Sequence, residues 1–299
     1  MALVQQAGSQ RLARCPEPEQ VTASVENVVQ YNRVMATKLV LAYAIGLELL
    51  NRALPAVQGA NAVDLACGPG HYTLCLCRYL GVRKITGVDL SPRMVELANK
   101  NSESQGLRDR AEFREGDVTC LDGLPTGEFG LASFTDAAHH MPNLGVVANV
   151  LQEMDRITRP DGLIMAMDLV RLRTAELTER YVQTLGRDYV ERGLPNFLED
   201  FRNSMYAAWT AKELFSAIPR DSRRFWCHIV PRGLPTVQVI LGLPVGRREP
   251  LVRSGFPWLP HENPVPAEMR GEWRLLRMTL RFASRRFVPP GESRQNACT

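Results

Sequence analysis

The chain has 299 residues, of which 45% are hydrophobic, so it can bury a full core as one large α/β domain or as a domain with an appendage. Its formal net charge of +4 and its pI near 8.7 are mildly basic, which permits a nucleic-acid partner without demanding one. The opening stretch MALVQQAGSQRLARC lacks an apolar span of about 18 residues, so we expect no signal peptide or membrane helix and predict a cytoplasmic protein.

The seven cysteines predict no metal site. Cys75 and Cys77 stand two residues apart and diverge around a helix, and no CxxC pair or histidine pair at zinc-site spacing accompanies them. Cysteines in a core behave as small hydrophobes. We therefore predict seven reduced thiols and a site without metal.

The amino-terminal region divides into a leader and two helices. Residues 1–20 are polar and contain Pro16 and Pro18, which predicts a loose leader. A helical pattern begins at Val21, and a second helix is predicted from Val34 to Leu54. Farther along the chain, residues Lys84 to Val88 are predicted to form the second strand of the core.

The run NAVDLACGPG, residues 61–70, predicts a buried strand followed by a sharp turn. Gly68 and Gly70 can adopt positive φ and leave room beside the backbone, and Pro69 fixes the bend between them. A helix from His71 to Leu80 follows. A strand, a glycine turn and a helix start direct backbone N–H groups and a positive helix end at a polar ligand.

The residues around this turn separate its candidate ligands. A dinucleotide fingerprint requires a third glycine, where this chain has Thr73. Asp64, inside the strand, can face the positive amino group of an amino-acid moiety. The alternative is a tight turn that binds nothing. Asp89 ends the second strand about 20 residues past the glycines, where a carboxylate accepts hydrogen bonds from ribose hydroxyls.

The strings VDLACGPG and GVDLS, the latter at Gly87 to Ser91, resemble the first two motifs of class I S-adenosylmethionine-dependent methyltransferases. The resemblance implies S-adenosylmethionine as the cofactor and places Tyr31 near its methionine part, although Tyr31 can equally be a core aromatic. It also implies that Asp117, after a third strand predicted from Ala111 to Val118, accepts from the adenine amino group. A turn-forming Asp117 is the alternative.

The predicted fourth strand, Phe129 to Thr135, is followed by DAAHHM, residues 136–141. This resembles the family's strand end with a polar residue and paired histidines, although the family usually has Asp where Gly130 stands. Because adjacent side chains diverge, we predict that one of His139 and His140 packs and the other faces the cleft. A helix from Gly145 to Thr158 and a turn at residues 160–162 lead to a fifth strand.

These elements predict a doubly wound, mostly parallel Rossmann-like sheet with an antiparallel last strand, an N-terminal helical cover and a helical lid at residues 172–209. We assign residues 21–245 to a methyltransferase domain. Ligands of such sheets lie beyond the carboxyl ends of the strands. The predicted cofactor-binding residues are Tyr31, Asp64, Gly68, Gly70, Asp89, Asp117 and Asp136.

Residues 246–299 form a Pro- and Arg-rich extension. On a helix, five arginines would make one basic stripe suited to peripheral membrane contact or simply to a solvated face: Arg270, Arg274, Arg277, Arg281 and Arg285. The sequence predicts no oligomeric state.

The predicted reaction is methyl transfer to the oxygen, nitrogen or carbon of a small organic acceptor. His139 or His140 is the candidate general base. The consecutive prolines typical of nucleic-acid base methyltransferases are absent after the fourth strand, which disfavours nucleic acid as substrate. A non-catalytic cofactor-fold subunit and a nucleotide-dependent oxidoreductase remain the alternatives.

Overall fold

The computed structural model describes residues 10–17, 32–33, 39–53, 57–191, 194–232, 234–247, 264–280 and 283–291. Its centre is an eight-stranded sheet in the order β3-β2-β1-β4-β5-β7-β6-β8. The strands are β1 (Asn61–Leu65), β2 (Lys84–Asp89), β3 (Ala111–Glu115), β4 (Phe129–Thr135), β5 (Thr158–Leu169), β6 (Trp226–Val230), β7 (Val237–Gly242) and β8 (Ser284–Val288). The predicted fold class is confirmed.

Helices cover both faces of this sheet. They are α1 (Val40–Ala53), α2 (His71–Tyr79), α3 (Pro92–Ser104), α4 (Leu144–Ile157), α5 (Ala175–Glu191), α6 (Pro195–Ala207), α7 (Ala211–Ser216) and α8 (Arg270–Leu280). One cluster of buried apolar residues packs with α1 and α2 and a second packs with α4, so the sheet separates two halves of the core. No described helix is long and apolar enough to cross a membrane.

The parallel half of the sheet determines where a ligand can bind. β1 pairs in parallel with β2 on one side and with β4 on the other, and the chain order reverses there. β1 is buried along Ala62–Leu65 and β4 along Phe129–Phe134, as expected for strands covered on both faces. The carboxyl ends of β1, β2 and β4 therefore converge at the switch point of the sheet.

The antiparallel half is larger than predicted. β7 pairs antiparallel with β5, and β6 pairs antiparallel with β7, whereas the sequence predicted a single antiparallel last strand. β8 then adds a further antiparallel strand beside β6, and it comes from the extension assigned to residues 246–299. The sheet is thus completed by a segment that sequence patterning had separated from it.

Two predicted boundaries are wrong. β3 ends at Glu115, so Gly116, Asp117 and Val118 form a loop rather than the end of a strand. The turn predicted at residues 160–162 belongs to β5, which begins at Thr158 and shifts register against β4 between Phe129 and Leu131. The buried Arg224 guanidinium stabilises this irregular start, because it donates to three backbone carbonyls there, to the Leu243 carbonyl after β7 and to Asp155.

The predicted basic stripe does not form on one helix. α8 ends at Leu280, Arg285 lies in β8, and Arg281 is outside the described residues. Arg277 lies 3.8 Å from the buried carboxylate of Glu48, on the side of α8 that faces the protein. The pattern failed because the apolar face of α8, with Trp273 4% exposed, packs into the core.

We expect Trp273→Ala to lower the free energy of unfolding by about 3–5 kcal/mol, because the change opens a cavity in the core. Leu275 lies on the same helix but is 59% exposed, so Leu275→Ala is a matched control and should change stability by less than about 0.5 kcal/mol. Denaturant unfolding of the full chain measures both. Equal effects would show that α8 does not belong to the folded core.

Candidate active site

The glycine turn after β1 is held by the acidic residue that ends β2. Gly68 and Gly70 have φ values of 52° and 79°. The Gly68 N–H donates to Asp89 Oδ2 at 2.7 Å, and the Ser91 N–H donates to Asp89 Oδ1 at 2.9 Å. Burial raises the pKa of Asp89 although these bonds stabilise its charge. The structure therefore brings the first two predicted motifs into direct contact.

Gly70 has a packing role. A Cβ atom there would lie 2.7 Å from the Phe113 ring and 3.1 Å from Ala98 Cβ, so the missing side chain lets α2 approach β3 and α3. Gly70 also caps α2 in the left-handed conformation. The space beside Gly70, which we predicted for a ligand, is filled by Phe113 and Ala98.

Asp64 is enclosed within the protein. It is 1% exposed, and it accepts from Thr73 Oγ1 at 2.5 Å and from Ser133 Oγ at 2.6 Å. Burial raises its pKa to about 6 although both hydroxyl bonds favour the charged form. These contacts join β1 to α2 and β4, which favours a structural role over the predicted contact with a cofactor amino group.

Asp136, unlike Asp64, has a buried carboxylate oxygen without a hydrogen-bond partner among the described residues. The residue follows β4 with φ of 51°, a rare conformation for a residue other than glycine. Its Oδ2 atom is buried and accepts no hydrogen bond from any described residue. Burial, and then the charge of Asp168, raise its pKa to about 7. A strained backbone and an orphaned carboxylate at a strand end indicate a site for a positively charged ligand group.

Two predicted cofactor residues remain apart from this arrangement. Asp117 is exposed and accepts from the Thr119 N–H and hydroxyl, and these bonds lower its pKa. This is the turn-forming alternative. Tyr31 lies outside the described residues. The next residue, Asn32, hydrogen-bonds His71 at 2.7 Å at the start of α2.

The paired histidines converge, contrary to the prediction that they diverge. They lie in a 3₁₀ turn, Ala138–His140, whose tighter winding brings the two ring centroids to 4.2 Å. His139 is 3% exposed and packs, whereas His140 is exposed, and its predicted place in the cofactor cleft stays a prediction. Both nevertheless meet one carboxylate: Glu17 Oε2 lies 2.6 Å from His140 Nδ1, and Glu17 Oε1 lies 3.9 Å from His139 Nε2.

His139 is also fixed from behind by Asp168. Its Nδ1 lies 2.6 Å from Asp168 Oδ1. Burial lowers the pKa of His139, but the charges and hydrogen bonds of Asp168, Glu17 and Asp136 outweigh it and raise the pKa to about 9. Burial likewise raises the pKa of Glu17, but the two histidines reverse this and lower it to about 2. The pocket around His139 therefore stabilises positive charge.

Glu17 reaches this site because the N-terminal segment, residues 10–17, is docked and not loose as predicted. Arg14 donates to the carbonyls of His139, Met141, Pro142 and Ala207 and stacks 3.8 Å from the Trp209 ring. Trp209 in turn donates to the Ala138 carbonyl at 2.7 Å. Arg14, Glu17 and Asp168 were not predicted from the sequence, since a lone charged residue in a leader or a strand carries no pattern.

A cleft of about 280 Å³ opens at the opposite edge of the sheet, beside the first residues of β1, β2 and β3. Its lining mixes basic and acidic side chains and includes none of the predicted site residues. The chemistry of the site described above therefore lies at the other edge, at the carboxyl ends of the strands.

Comparison with known proteins agrees with this geometry. Residues 62–162 match a family model described as a methyltransferase domain. Residues 62–162 thus form a methyltransferase domain. The matched residues run from β1 into the start of β5, and they include the glycine turn, Asp89, Asp136 and both histidines.

Relatives of this methyltransferase domain act on different acceptors. The chain is 28% identical over 146 residues to the demethylmenaquinone methyltransferase of Lactobacillus johnsonii, covering 46% of this chain and 53% of that protein. It is 31% identical over 158 residues to the malonyl-[acyl-carrier protein] O-methyltransferase of Pectobacterium atrosepticum, covering 51% and 56%. The chain thus spans about half the length of these curated relatives.

A solved structure supports the fold of the methyltransferase domain. The plantazolicin methyltransferase BamL, in complex with a triazolic desmethylPZN analog and SAH, matches with a TM-score of 0.56 at 11% identity. The match covers 76% of this chain and 93% of BamL, so the likeness extends beyond the 62–162 segment.

We expect Thr73→Val to lower the free energy of unfolding by about 1–3 kcal/mol, because Asp64 Oδ2 would lose its buried hydroxyl partner. Thr86→Val is the matched control. Its hydroxyl bonds Glu112 at an exposed position, so water can replace it and stability should change by less than about 0.5 kcal/mol. Denaturant unfolding decides, and a neutral Thr73→Val would show that Asp64 has another source of compensation.

Proposed function

We propose that the chain catalyses methyl transfer from S-adenosylmethionine to a small organic acceptor, with a hydroxyl as the favoured group. The observation that carries this proposal is the unpaired buried carboxylate of Asp136 beside a glycine turn that is tied to Asp89. The cofactor of a methyltransferase carries an ammonium group, which can pair with Asp136, and a ribose diol, which can donate to Asp89.

The residues present fit the cofactor. Asp89, at the end of β2, would accept from the ribose hydroxyls with the lone pairs that Gly68 and Ser91 leave free. Asp136, at the end of β4, would pair with the ammonium of the methionine part, which supplies the partner that its Oδ2 atom lacks. When bound, the cofactor supplies a sulfonium methyl group that is intrinsically reactive.

The protein's own work is then to orient the acceptor and to receive its proton. Burial raises the pKa of Asp89 and of Asp136, and the charges of His140 and His139, respectively, act against this rise. The Glu17–His139–His140 cluster therefore borders the proposed cofactor site. Negative charge and imidazole groups gather there, and we propose that the acceptor's proton leaves at this cluster. His139 and His140 remain the candidate catalytic residues, although the pKa of His139, which burial lowers but its carboxylate neighbours raise to about 9, makes it a poor proton acceptor at neutral pH.

The acceptor is proposed to enter beside the helical insertion. α5 and α6 pack against each other through aromatic side chains, including an edge-on contact of Tyr189 and Phe197 at 4.9 Å. This insertion is therefore a small core of its own, which suits an enclosed pocket for a small molecule better than a polymer groove. The relatives named above methylate a quinone precursor and an acyl group on a carrier protein.

Calorimetry with S-adenosylhomocysteine tests the cofactor site without a known acceptor. Asp89→Ala should weaken binding about 5- to 150-fold, because about 1–3 kcal/mol of hydrogen bonding to the ribose is lost. The control is Asp161→Ala, which removes an exposed carboxylate paired with Arg159 at the other edge of the sheet and should leave binding unchanged. Equal affinity in both variants would remove Asp89 from the site.

Turnover is tested with labelled S-adenosylmethionine and a panel of phenols, hydroxyquinones and carboxylic acids. Label transfer to any hydroxyl supports the proposal. Tight cofactor binding with no transfer to any acceptor would favour the alternative of a non-catalytic subunit. Bound flavin or nicotinamide, detected in the absorbance spectrum, would instead favour an oxidoreductase.

A further inference from the structure

Glu17, His139 and His140 bring three metal-binding groups together from distant parts of the chain. The ligating atoms of the three side chains all lie within 4.8 Å of one another. Glu17 comes from the N-terminal segment and the histidines from the turn after β4, so the set has no compact sequence motif. Two imidazoles and one carboxylate match the three protein ligands of many catalytic zinc centres.

The distances are close to those that a metal requires. Ligands about 2.0–2.2 Å from a tetrahedral metal ion lie about 3.3 Å from one another. Here the Glu17 carboxylate lies 2.6 Å from His140 Nδ1 and 3.9 Å from His139 Nε2. The first distance is to Glu17 Oε2 and the second to Glu17 Oε1, and they lie on either side of this ideal separation, so coordination requires only a small rotation of the Glu17 carboxylate.

The cluster has the outer partners that hold ligands in place at metal sites. Asp168 Oδ1 lies 2.6 Å from His139 Nδ1. A neutral His139 that donates this hydrogen bond has a free lone pair on Nε2, which can bind a metal ion on the side of the ring where Glu17 lies. The Leu169 N–H fixes the same Asp168 oxygen at 2.8 Å. Ser204 Oγ donates to Glu17 Oε1 at 2.5 Å. Both ends of the cluster are thus oriented by hydrogen bonds.

The electrostatic environment favours a cation. His139 is faced by Glu17 from the N-terminal segment, by Asp136 from the end of β4 and by Asp168 from β5. The Oδ2 atoms of Asp136 and Asp168 are buried and accept no hydrogen bond from any described residue. The positive charge of Arg14 acts on Asp168 and Glu17, but its guanidinium donates to backbone carbonyls and leaves these two Oδ2 atoms without a hydrogen bond. A dication can take the place of the proton that this pocket otherwise holds.

We propose that Glu17, His139 and His140 bind a divalent transition-metal ion, with zinc as the best match, and that the open coordination position receives the acceptor's oxygen. His140 is 43% exposed, so the fourth position faces solvent and not the core. The second half of this proposal rests on the proposed methyl transfer, whereas the metal site does not.

The chemistry at the open position balances. Metal binding sends the proton of His139 to solvent. An acceptor hydroxyl bound to the metal has a lowered pKa and releases its proton to solvent. The oxygen then forms a bond to the methyl carbon as the carbon–sulfur bond breaks, which leaves a neutral thioether and a methyl ether.

The test titrates chelator-treated, full-length protein with CoCl₂ and ZnCl₂. We expect one equivalent to bind, with the absorption of four-coordinate cobalt, and zinc to displace the cobalt. Glu17→Gln, His139→Gln and His140→Gln should each weaken binding by at least about 100-fold, more than the loss expected for an outer partner. Asp168→Asn should weaken binding by about 10- to 100-fold with the stoichiometry kept.

Controls separate this site from other ligands in the chain. Cys15 and Cys120 are exposed free thiols, so the double variant Cys15→Ser/Cys120→Ser must bind metal as the wild type does. His228→Gln, which changes a buried histidine bonded to Gln238, must do the same. Circular dichroism confirms that each variant is folded. Glu17→Gln leaves the fold of the sheet untouched and keeps the test decisive if a histidine variant unfolds.

Several outcomes overturn the proposal. These are no stoichiometric binding, wild-type affinity in the Glu17→Gln and His140→Gln variants, or loss of binding in the cysteine variant. Calorimetry with S-adenosylhomocysteine on metal-free protein keeps the two proposals apart. Cofactor binding without metal binding would refute the metal site alone, and metal binding without cofactor binding would refute the proposed function alone.

Discussion

The burial of negative charge at one edge of the sheet constrains the whole structure. Asp64, Asp89, Asp136 and Asp168 all lie at or near the carboxyl ends of parallel strands, and a buried carboxylate is costly unless it is paired or hydrogen-bonded. Asp64 is compensated by two hydroxyls, Asp89 by two backbone N–H groups and Asp168 by His139. Asp136 and Asp168 each keep a buried Oδ2 atom that accepts no hydrogen bond from a described residue, which favours a positively charged ligand at these strand ends.

The N-terminal segment is the second element on which the site depends. Its Arg14 satisfies four carbonyls in the turn after β4 and at the end of α6, so these two regions are held together by one side chain. Arg171, just after β5, holds the segment from the other side through the Leu12 carbonyl. This docking, and not a local motif, gives Glu17 its place beside the histidines.

The sequence predicted what local physics determines. The continuous burial of β1 and the glycine turn after it appear as expected, because each depends on neighbouring residues. It did not predict contacts between residues far apart in the chain. Glu17 precedes His139 by 122 residues, and the helical pattern of the last arginines could not show that Arg285 would pair in a strand with β6. The 3₁₀ winding that makes the histidines converge is a tertiary effect.

The excess of negative charge also bears on the energetics of methyl transfer. The cofactor's sulfonium carries a positive charge that disappears as the methyl group leaves, so carboxylates beside it stabilise the reactant more than the transition state. An acidic site therefore favours methyl transfer only if other cations neutralise its negative charge. The ammonium of the methionine part can engage Asp136, and a cation at Glu17, His139 and His140 can engage the rest. With both in place, the sulfonium faces the acceptor's developing negative oxygen instead of a spare carboxylate, and the loss of charge on sulfur is matched by the loss of charge on oxygen.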